Sequence, residues 1–437
     1  MKVFIETLGC PKNFNDSEAV AGLLEGSGHE LTEIPSEADA IMVNTCGFIQ
    51  DAKKESIERI FDMASYGKLL IVSGCLSQRY GEELYESVPE ADIIIGVNDY
   101  EKLPDMLTDY EKGKEEGKRE KHLSLYEKDI STLQRKIREG AYSATLKISE
   151  GCNNRCTYCI IPSIRGPYRS VPEEQILREA ERLAGSGIKE LILIAQDTTA
   201  YGMDFDGKYH LAELLEKLCR IDGIEWIRIL YAYEDRITDE LIEVMAREDK
   251  ICKYIDIPIQ HASNRVLKAM DRRSTRDSIR TTIRKLRAAM EDIHIRTTLI
   301  VGFPGETEED FDELLDMVET EKFDRLGVFA YSAEEGTPAG EMADQIPEEV
   351  KQERLDAVMR RQLDISLESN RDKIGFTLDV IVDEEDDEGA YIGRTRYDAP
   401  EIDNSVIIST NAEHKPGDII KVRVVDAFDY DIVGEEV

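Results

Sequence analysis

Two long runs of short apolar segments, alternating with amphipathic helical stretches, restrict this chain to parallel-sheet architectures. In the first run, residues 3–8, 40–44, 69–73 and 93–97 read as strands, with helices around 16–24, 53–63 and 81–86. This is the pattern of a doubly wound parallel α/β domain. The second run has longer units, with strands at 144–149, 190–195, 226–231, 254–259, 295–301 and 325–331. Six successive β/α units predict a partial (β/α)6 TIM-like barrel with its functional residues on the loops after the strands. Beyond residue 371 the character changes again. Residues 376–382, 390–396, 405–409 and 419–425 read as short strands between Gly, Asp, Asn and Pro turns, and predict a small antiparallel β-barrel. The expected fold class is α/β multidomain, with domains at 1–107, 141–371 and 372–437 and a charged linker at 108–140. A length of 437 residues fits that division, since domains run to roughly 100–200 residues each.

Cysteines fall at telling places on this frame. The run ISEGCNNRCTYCIIP holds Cys152, Cys156 and Cys159 as CxxxCxxC, directly after a strand. Three thiolates can hold three corners of a 4Fe-4S cube and leave its fourth iron without a protein ligand. A structural zinc site is the ordinary competitor, but it needs four ligands. No second CxxC is present, and the nearest downstream histidine is His210. A second set ends three strands of the first domain: LGC at Cys10, NTC at Cys46 and SGC at Cys75. Their separations, 36 and 29 residues, approach the length of one βαβ unit, roughly 30 residues. Ligands in open α/β sheets sit beyond the carboxyl ends of the strands, so the three thiols are expected to converge on one edge as a second cluster site. The bland alternative is three separate core cysteines. Cys219 and Cys252 lack such company and read as structural.

Other candidates lie on the loops of the central domain. Gln196 and Asp197, Gln260 and His261, and the turn GFPGETEEDF all follow strands. In that turn Gly302 and Gly305 permit close backbone approach by a ligand, while Thr307 and Asp310 form a capping box for the next helix. A plain capped connection explains the turn equally well. Arg155, Arg165, Arg169, Arg272 and Arg273 would bring positive charge to the catalytic mouth, where one could bind a carboxylate of the cofactor or of the substrate.

Charge narrows the partner class. With 55 basic and 91 acidic residues the formal net charge is −36, which repels phosphate backbones and attracts basic partners. The last domain alone carries 18 acidic and 6 basic residues, including DEEDDE at 383–388. RNA binding is therefore not expected. No apolar run approaches the roughly 18 residues of a membrane span, and no signal-peptide pattern opens the chain. A monomer in the cytoplasm with no membrane partner is the expectation.

The segment CNNRCTYC resembles the cluster loop of the radical S-adenosylmethionine enzymes. Together with LGCPKNFNDSE, NTCGFIQDAKKESIE, GCLSQRY, AQDTTAYG and VGFPGETEEDF, it makes the whole chain similar to the methylthiotransferases, and most like the branch that modifies ribosomal protein uS12. That resemblance implies a C-terminal TRAM barrel and two 4Fe-4S clusters, a radical-generating one on Cys152, Cys156 and Cys159 and an auxiliary one on Cys10, Cys46 and Cys75. It further implies S-adenosyl-L-methionine as cofactor, with Gln196, Gln260, Gly302 and Gly305 as candidate contacts. Insertion of a methylthio group at the β-carbon of an aspartate of uS12 would then need an electron donor and a sulfur source. A tRNA methylthiotransferase and a non-catalytic iron-sulfur carrier are the alternatives.

Overall fold

The computed structural model of the chain describes residues 1–113, 118–125, 134–387 and 389–437. The chain divides into two compact units. One comprises Met1–Arg138 with Ser149–Asn154 and Cys159–Gln175, the other Glu139–Ile148 with Arg155–Tyr158 and Ile176–Val437.

The first unit is built on a six-stranded sheet of β1 (Lys2–Thr7), β2 (Glu30–Leu31), β3 (Ala40–Thr45), β4 (Leu69–Gly74), β5 (Ile93–Ile95) and β6 (Glu120–His122). Every pairing is parallel and the order is β2-β1-β3-β4-β5-β6. Residues on β3, β4 and β5 alternate between two cores. Ala40, Met42, Leu69, Ile71, Ile93 and Ile95 pack on one face against Val20, Leu24, Leu103 and Leu107 of the helices Pro11–Gly26 and Leu103–Glu111. Ile41, Val43, Leu70, Val72 and Ile94 pack on the other against Ile60, Met63, Leu76 and Leu84 of the helices Gln50–Ala64 and Cys75–Ser87. A strand buried on both faces must be apolar throughout, which is why these segments lack the alternation of a half-exposed strand. The doubly wound domain stands as expected. Within the stretch read as a charged linker, residues 114–117 and 126–133 lie outside the described residues. The described part includes β6, paired to β5 from Glu120 to His122.

Strand ends in this unit depend on glycine. Gly74 sits at φ 94° and ψ −158° between β4 and its helix, a region essentially reserved for glycine. A Cβ there would meet the Asn44 Oδ1 and the Thr45 carbonyl at 2.4 Å. We expect Gly74→Ala to destabilise this unit by about 3 kcal/mol, the sum of backbone strain and overpacking. A lowered midpoint of chemical denaturation checks it.

The second unit carries an open six-stranded parallel sheet of β7 (Ser143–Lys147), β10 (Glu190–Ile194), β11 (Trp226–Ile229), β12 (Ile251–Asp256), β13 (His294–Val301) and β14 (Arg325–Ala330). They are ordered along the sheet as they follow in the chain. The short strands β8 (Ser149–Glu150) and β9 (Arg169–Ser170) belong to the first unit. The partial (β/α)6 barrel is present, with β12 beginning and ending three residues earlier than the apolar run suggests.

The tail forms a closed barrel of β15 (Thr377–Glu385), β16 (Tyr391–Thr395), β17 (Val406–Ser409), β18 (Ile419–Ala427) and β19 (Ile432–Glu436), ordered β15-β16-β17-β19-β18. The fifth strand, β19, closes the ring by pairing parallel to β17 and antiparallel to β18. The barrel packs on the amino-terminal ends of the central strands. Ile381, Ala399 and Ile419 join Ile192, Trp226 and Tyr254 in one apolar cluster. Around it lies a set of buried ion pairs. Glu190 takes Arg228 at 2.9 Å and Arg394 at 2.6 Å, Arg325 binds Asp398 at 2.5 Å, and Arg296 binds Asp256 at 2.9 Å and Asp403 at 3.3 Å. This arrangement leaves the carboxyl ends of the central strands clear of the barrel. No helix among the described residues is long and apolar enough to cross a membrane.

Candidate functional site

Strand order places the first cysteine set. In a sheet ordered 2-1-3-4-5 the topological switch point lies between β1 and β3, and the ligand crevice opens there beyond the carboxyl ends. Cys10 follows β1, Cys46 follows β3, and Cys75 follows β4 as the first residue of its helix. The loops close tightly on one another. A Cβ on Gly9 would lie 2.8 Å from the Cys46 Cβ and 3.1 Å from its sulfur, and one on Gly47 would lie 2.7 Å from the Leu76 Cα. Cys46 and Cys75 are buried, whereas Cys10 is partly exposed.

Burial pushes the Cys46 thiol up, and it pushes the Cys75 thiol up to about 12. The Arg165 guanidinium opposes that rise at Cys75, its Nη2 donating to the sulfur at 3.2 Å. The same nitrogen donates to the Asn13 Oδ1 at 2.8 Å, and Nη1 donates to the Asp16 Oδ2 at 2.5 Å. Arg165 is therefore committed to Cys75, Asn13 and Asp16 and is not available to bind a carboxylate of a cofactor or substrate. Asn13 and Asp16, one turn apart on the helix Pro11–Gly26, were not singled out by the sequence reading. Their only signal there is that they share a helix face with each other, three and six residues after Cys10.

The second set lies on the loop after β7 and β8. Cys152 and Cys159 belong to the first unit, and Cys156 to the second. The Cys152 amide donates to the Gly166 carbonyl at 3.1 Å, and its sulfur accepts from the Asn154 amide at 3.4 Å. Gly151, at φ 78°, has no room for a side chain, since a Cβ would fall 2.1 Å from the Pro167 carbonyl. The Cys156 sulfur lies 3.2 Å from the Tyr233 hydroxyl. The ring of Tyr233 is covered by Arg272 at 4.4 Å and Arg236 at 5.5 Å. Arg272 is buried and donates to the Pro258 carbonyl at 3.0 Å. Tyr158 packs, partly buried, against Val266, Met270, Phe303, Tyr331 and Ala339. Arg155 and Arg273 are exposed, the latter 3.9 Å from Asp235, and Arg169 lies in β9.

At the carboxyl ends of β10 and β12 stand Gln196 and Gln260. Gln260 holds φ 69°, a left-handed conformation unusual for a side-chain-bearing residue. It is fixed there by hydrogen bonds from its amide to Thr298 at 2.9 Å and to its carbonyl from Ile300 at 2.7 Å. Such strain at a strand mouth points to a positioned side chain. Asp197 caps the turn Thr198–Ala200 and pairs with Arg236, so its role is structural. His261 is fully buried. Its Nδ1 accepts from the Ser263 amide at 3.0 Å, leaving the proton on Nε2, which faces the Glu306 carboxylate at 3.4 Å. Glu306 in turn takes Arg354 at 2.8 Å. The capping box of Thr307 and Asp310 is formed. At Gly302, however, the space that a Cβ would take is filled by Lys351, whose Cγ would lie 2.3 Å away, and the Gly305 amide donates to the Asp344 carbonyl at 2.7 Å.

As donor sets, both triplets consist of thiols alone, the soft ligands suited to iron-sulfur centres. Among the described residues, no three His, Cys, Asp or Glu side chains close around the position of a single ion. Cys219 ends a helix and Cys252 is fully buried in β12, so both read as structural.

Comparison with known proteins agrees with this layout. Residues 2–96 match the model described as Uncharacterized protein family UPF0004, residues 146–318 the Radical SAM superfamily, and residues 374–437 the TRAM domain. Among solved structures, the radical S-adenosylmethionine methyltransferase TsrM from Kitasatospora setae shares the fold. The TM-score is 0.57 at 15% identity, covering 78% of this chain and 77% of that one. Two curated relatives bear the name ribosomal protein uS12 methylthiotransferase RimO. That from Desulforamulus reducens is 49% identical, covering 98% of both chains. That from Clostridioides difficile is 48% identical, covering 100% of this chain and 98% of its own. With identity of this order sustained from the first domain to the last, the chain belongs to the ribosomal protein uS12 methylthiotransferase RimO family.

Proposed function

We propose that the chain is a radical S-adenosylmethionine methylthiotransferase that replaces a hydrogen on the β-carbon of an aspartate of ribosomal protein uS12 by a methylthio group. The observation that carries this reading is the placement of Cys10, Cys46 and Cys75 after three neighbouring parallel strands, two of them flanking the switch point. In this reading Cys10, Cys46 and Cys75 hold an auxiliary 4Fe-4S cluster, and Cys152, Cys156 and Cys159 hold a second cluster with an open iron. When bound, these groups supply an electron for cleavage of the cofactor and a site for sulfur, which together allow substitution at an unactivated carbon.

The protein's own residues bind and orient. Gln196 and Gln260 are proposed contacts of S-adenosylmethionine, Gln260 being held in a fixed backbone conformation for that purpose. At Gly305 an added Cβ would come no closer than 3.9 Å to a neighbour, the Asp344 Cβ, whereas Gly302 gives its room to Lys351. Half-buried Tyr233 and buried Arg272 present a hydroxyl and a positive charge beside Cys156. Two molecules of S-adenosylmethionine, one giving the methyl group and one the radical that takes up the hydrogen, would complete the stoichiometry together with an electron donor and a sulfur source.

Charge supports a basic protein as substrate. Several barrel carboxylates are taken up internally by Arg296, Arg325 and Arg394, yet Glu384, Glu385, Asp386, Asp387, Glu401 and Asp429 remain exposed. Their field attracts a cationic polypeptide and repels RNA. The reading places the chain in the cytoplasm as a monomer.

Anaerobically reconstituted enzyme, given reductant, sulfide and S-adenosylmethionine, is expected to add a methylthio group to a uS12 loop peptide and not to tRNA. Mass spectrometry of both substrates decides. An adduct on tRNA alone would overturn the assignment.

A further inference from the structure

We infer that Arg165 tunes the reduction potential of the centre at Cys10, Cys46 and Cys75 by holding a fixed hydrogen bond to the Cys75 sulfur inside a buried ion-paired network. The inference rests on the proposed assignment of a cluster to those three thiols.

Its basis is the geometry of one guanidinium. Arg165 ends the short helix Ile161–Arg165, six residues after Cys159, so the loop carrying one cysteine set terminates on a member of the other. The two arms of the guanidinium have different partners. Nη1 is anchored by the Asp16 carboxylate at 2.5 Å, with the Glu150 carboxylate 3.5 Å away. Nη2 is directed at the Cys75 sulfur at 3.2 Å and the Asn13 Oδ1 at 2.8 Å.

Asn13 cannot turn its amide round, because its Nδ2 donates to the Leu8 carbonyl at 2.8 Å and to the Thr45 carbonyl at 3.0 Å. Its backbone is held as well, with the Asn13 carbonyl accepting from the Asn44 Nδ2 at 2.9 Å. Arg165 and Asp16 are both almost wholly buried. The donor is thus fixed by Asp16, Glu150 and Asn13 and shielded from solvent.

A salt bridge that served only to join two segments would use Asp16 and need no aligned second arm. Here the second arm is guided onto sulfur. A hydrogen bond and a positive charge at a ligating sulfur favour the reduced, more negative state of an iron-sulfur centre, and so raise its potential. Asp16 offsets part of that charge, which makes the opposing pair a means of setting the value.

The test isolates one centre. In full-length protein with Cys152, Cys156 and Cys159 all replaced by Ala, only the auxiliary site remains, and its potential is read by spectroscopically monitored redox titration. Adding Arg165→Gln is expected to lower the potential by about 59 mV, the one-electron equivalent of a tenfold change in the oxidised-to-reduced ratio. Adding Asp16→Asn, which keeps an oxygen for the arginine and removes the negative charge, is expected to raise it.

Opposite shifts support the inference. Shifts of the same sign, or none, overturn it, since a purely structural pair would lose cluster or stability in both variants alike. If Arg165→Gln fails to load, the Asp16→Asn shift alone decides: upward supports the inference, and unchanged or downward overturns it. A parent variant that binds no iron or sulfide would instead sink the auxiliary-cluster assignment itself.

Discussion

Alanine at Cys152, Cys156 and Cys159 together is expected to abolish both cleavage of S-adenosylmethionine and methylthiolation. Alanine at Cys10, Cys46 and Cys75 should abolish methylthiolation and leave reductive cleavage measurable. The loss in each abolished activity should reach at least about 10⁶-fold, the low end of enzymatic rate enhancement. The asymmetry follows from where the two sets sit. One occupies a single loop with an aromatic and cationic surround at Cys156, suited to a reactive small-molecule site. The other is assembled from three strand ends that are held together by glycine contacts and Arg165. Because the two assemblies use different segments, removing one leaves the sulfur ligands of the other in place. Product analysis for 5′-deoxyadenosine and for the peptide adduct in the same reaction separates the two functions. Equal loss of cleavage in both variants would contradict this division of labour.

Replacement of Glu190 by Gln should destabilise the second unit by about 3–5 kcal/mol, the range for breaking a buried ion pair from one side. Glu190 is fully buried and is the common partner of Arg228 and Arg394. Without its charge Arg228 stays buried beside a neutral amide and the Arg396 carbonyl, and Arg394 keeps only Asp383, at 3.2 Å, as a carboxylate partner. Arg228 also lies over the Tyr254 ring at 4.9 Å, so it has no route to solvent. The carboxylate itself is strongly perturbed. Burial raises its pKa, but the charges of Arg394 and Arg228 outweigh burial and hold it at about 2, below the ordinary 4.5.

The sign of the pH effect follows from that depression. Stability contributed by Glu190 is fully present above its unfolded value of 4.5 and is lost as pH falls through about 2. Wild-type protein should therefore lose stability across that window more steeply than the Gln variant, which has no proton to take up. Denaturation midpoints measured in steps between these limits give the comparison, and parallel curves would show that Glu190 does not titrate as described.

What could be read from sequence was whatever a local pattern carries. Doubly buried strands such as 40–45 and 69–74 announce themselves as apolar runs, and CxxxCxxC needs no tertiary information. The misses have physical causes. β2, β6 and β19 are only two to five residues long and bear charge or glycine. Their pairing comes from the neighbouring strand and not from their own preference. The shift of β12 arises because residues 257–259 stay apolar beyond the ladder, although Pro258 has no amide hydrogen to offer it. Arg165 carried a readable charge, but its target, ninety residues away in sequence at Cys75, did not. Gly302 was readable as a place of close approach. Only the structure identifies the approaching group as Lys351.

The acidic barrel also bears on how this protein can be divided. Its strands differ in composition from the central domain, yet Asp398, Asp403 and Arg394 complete charges that originate on β10, β13 and β14. Excising the tail would open to water a surface built as interior, with Arg228, Arg296 and Arg325 each deprived of a partner. The catalytic sheet and its barrel are thus separate in lineage of pattern but single in thermodynamics. A truncated central domain is a damaged protein, not a smaller enzyme.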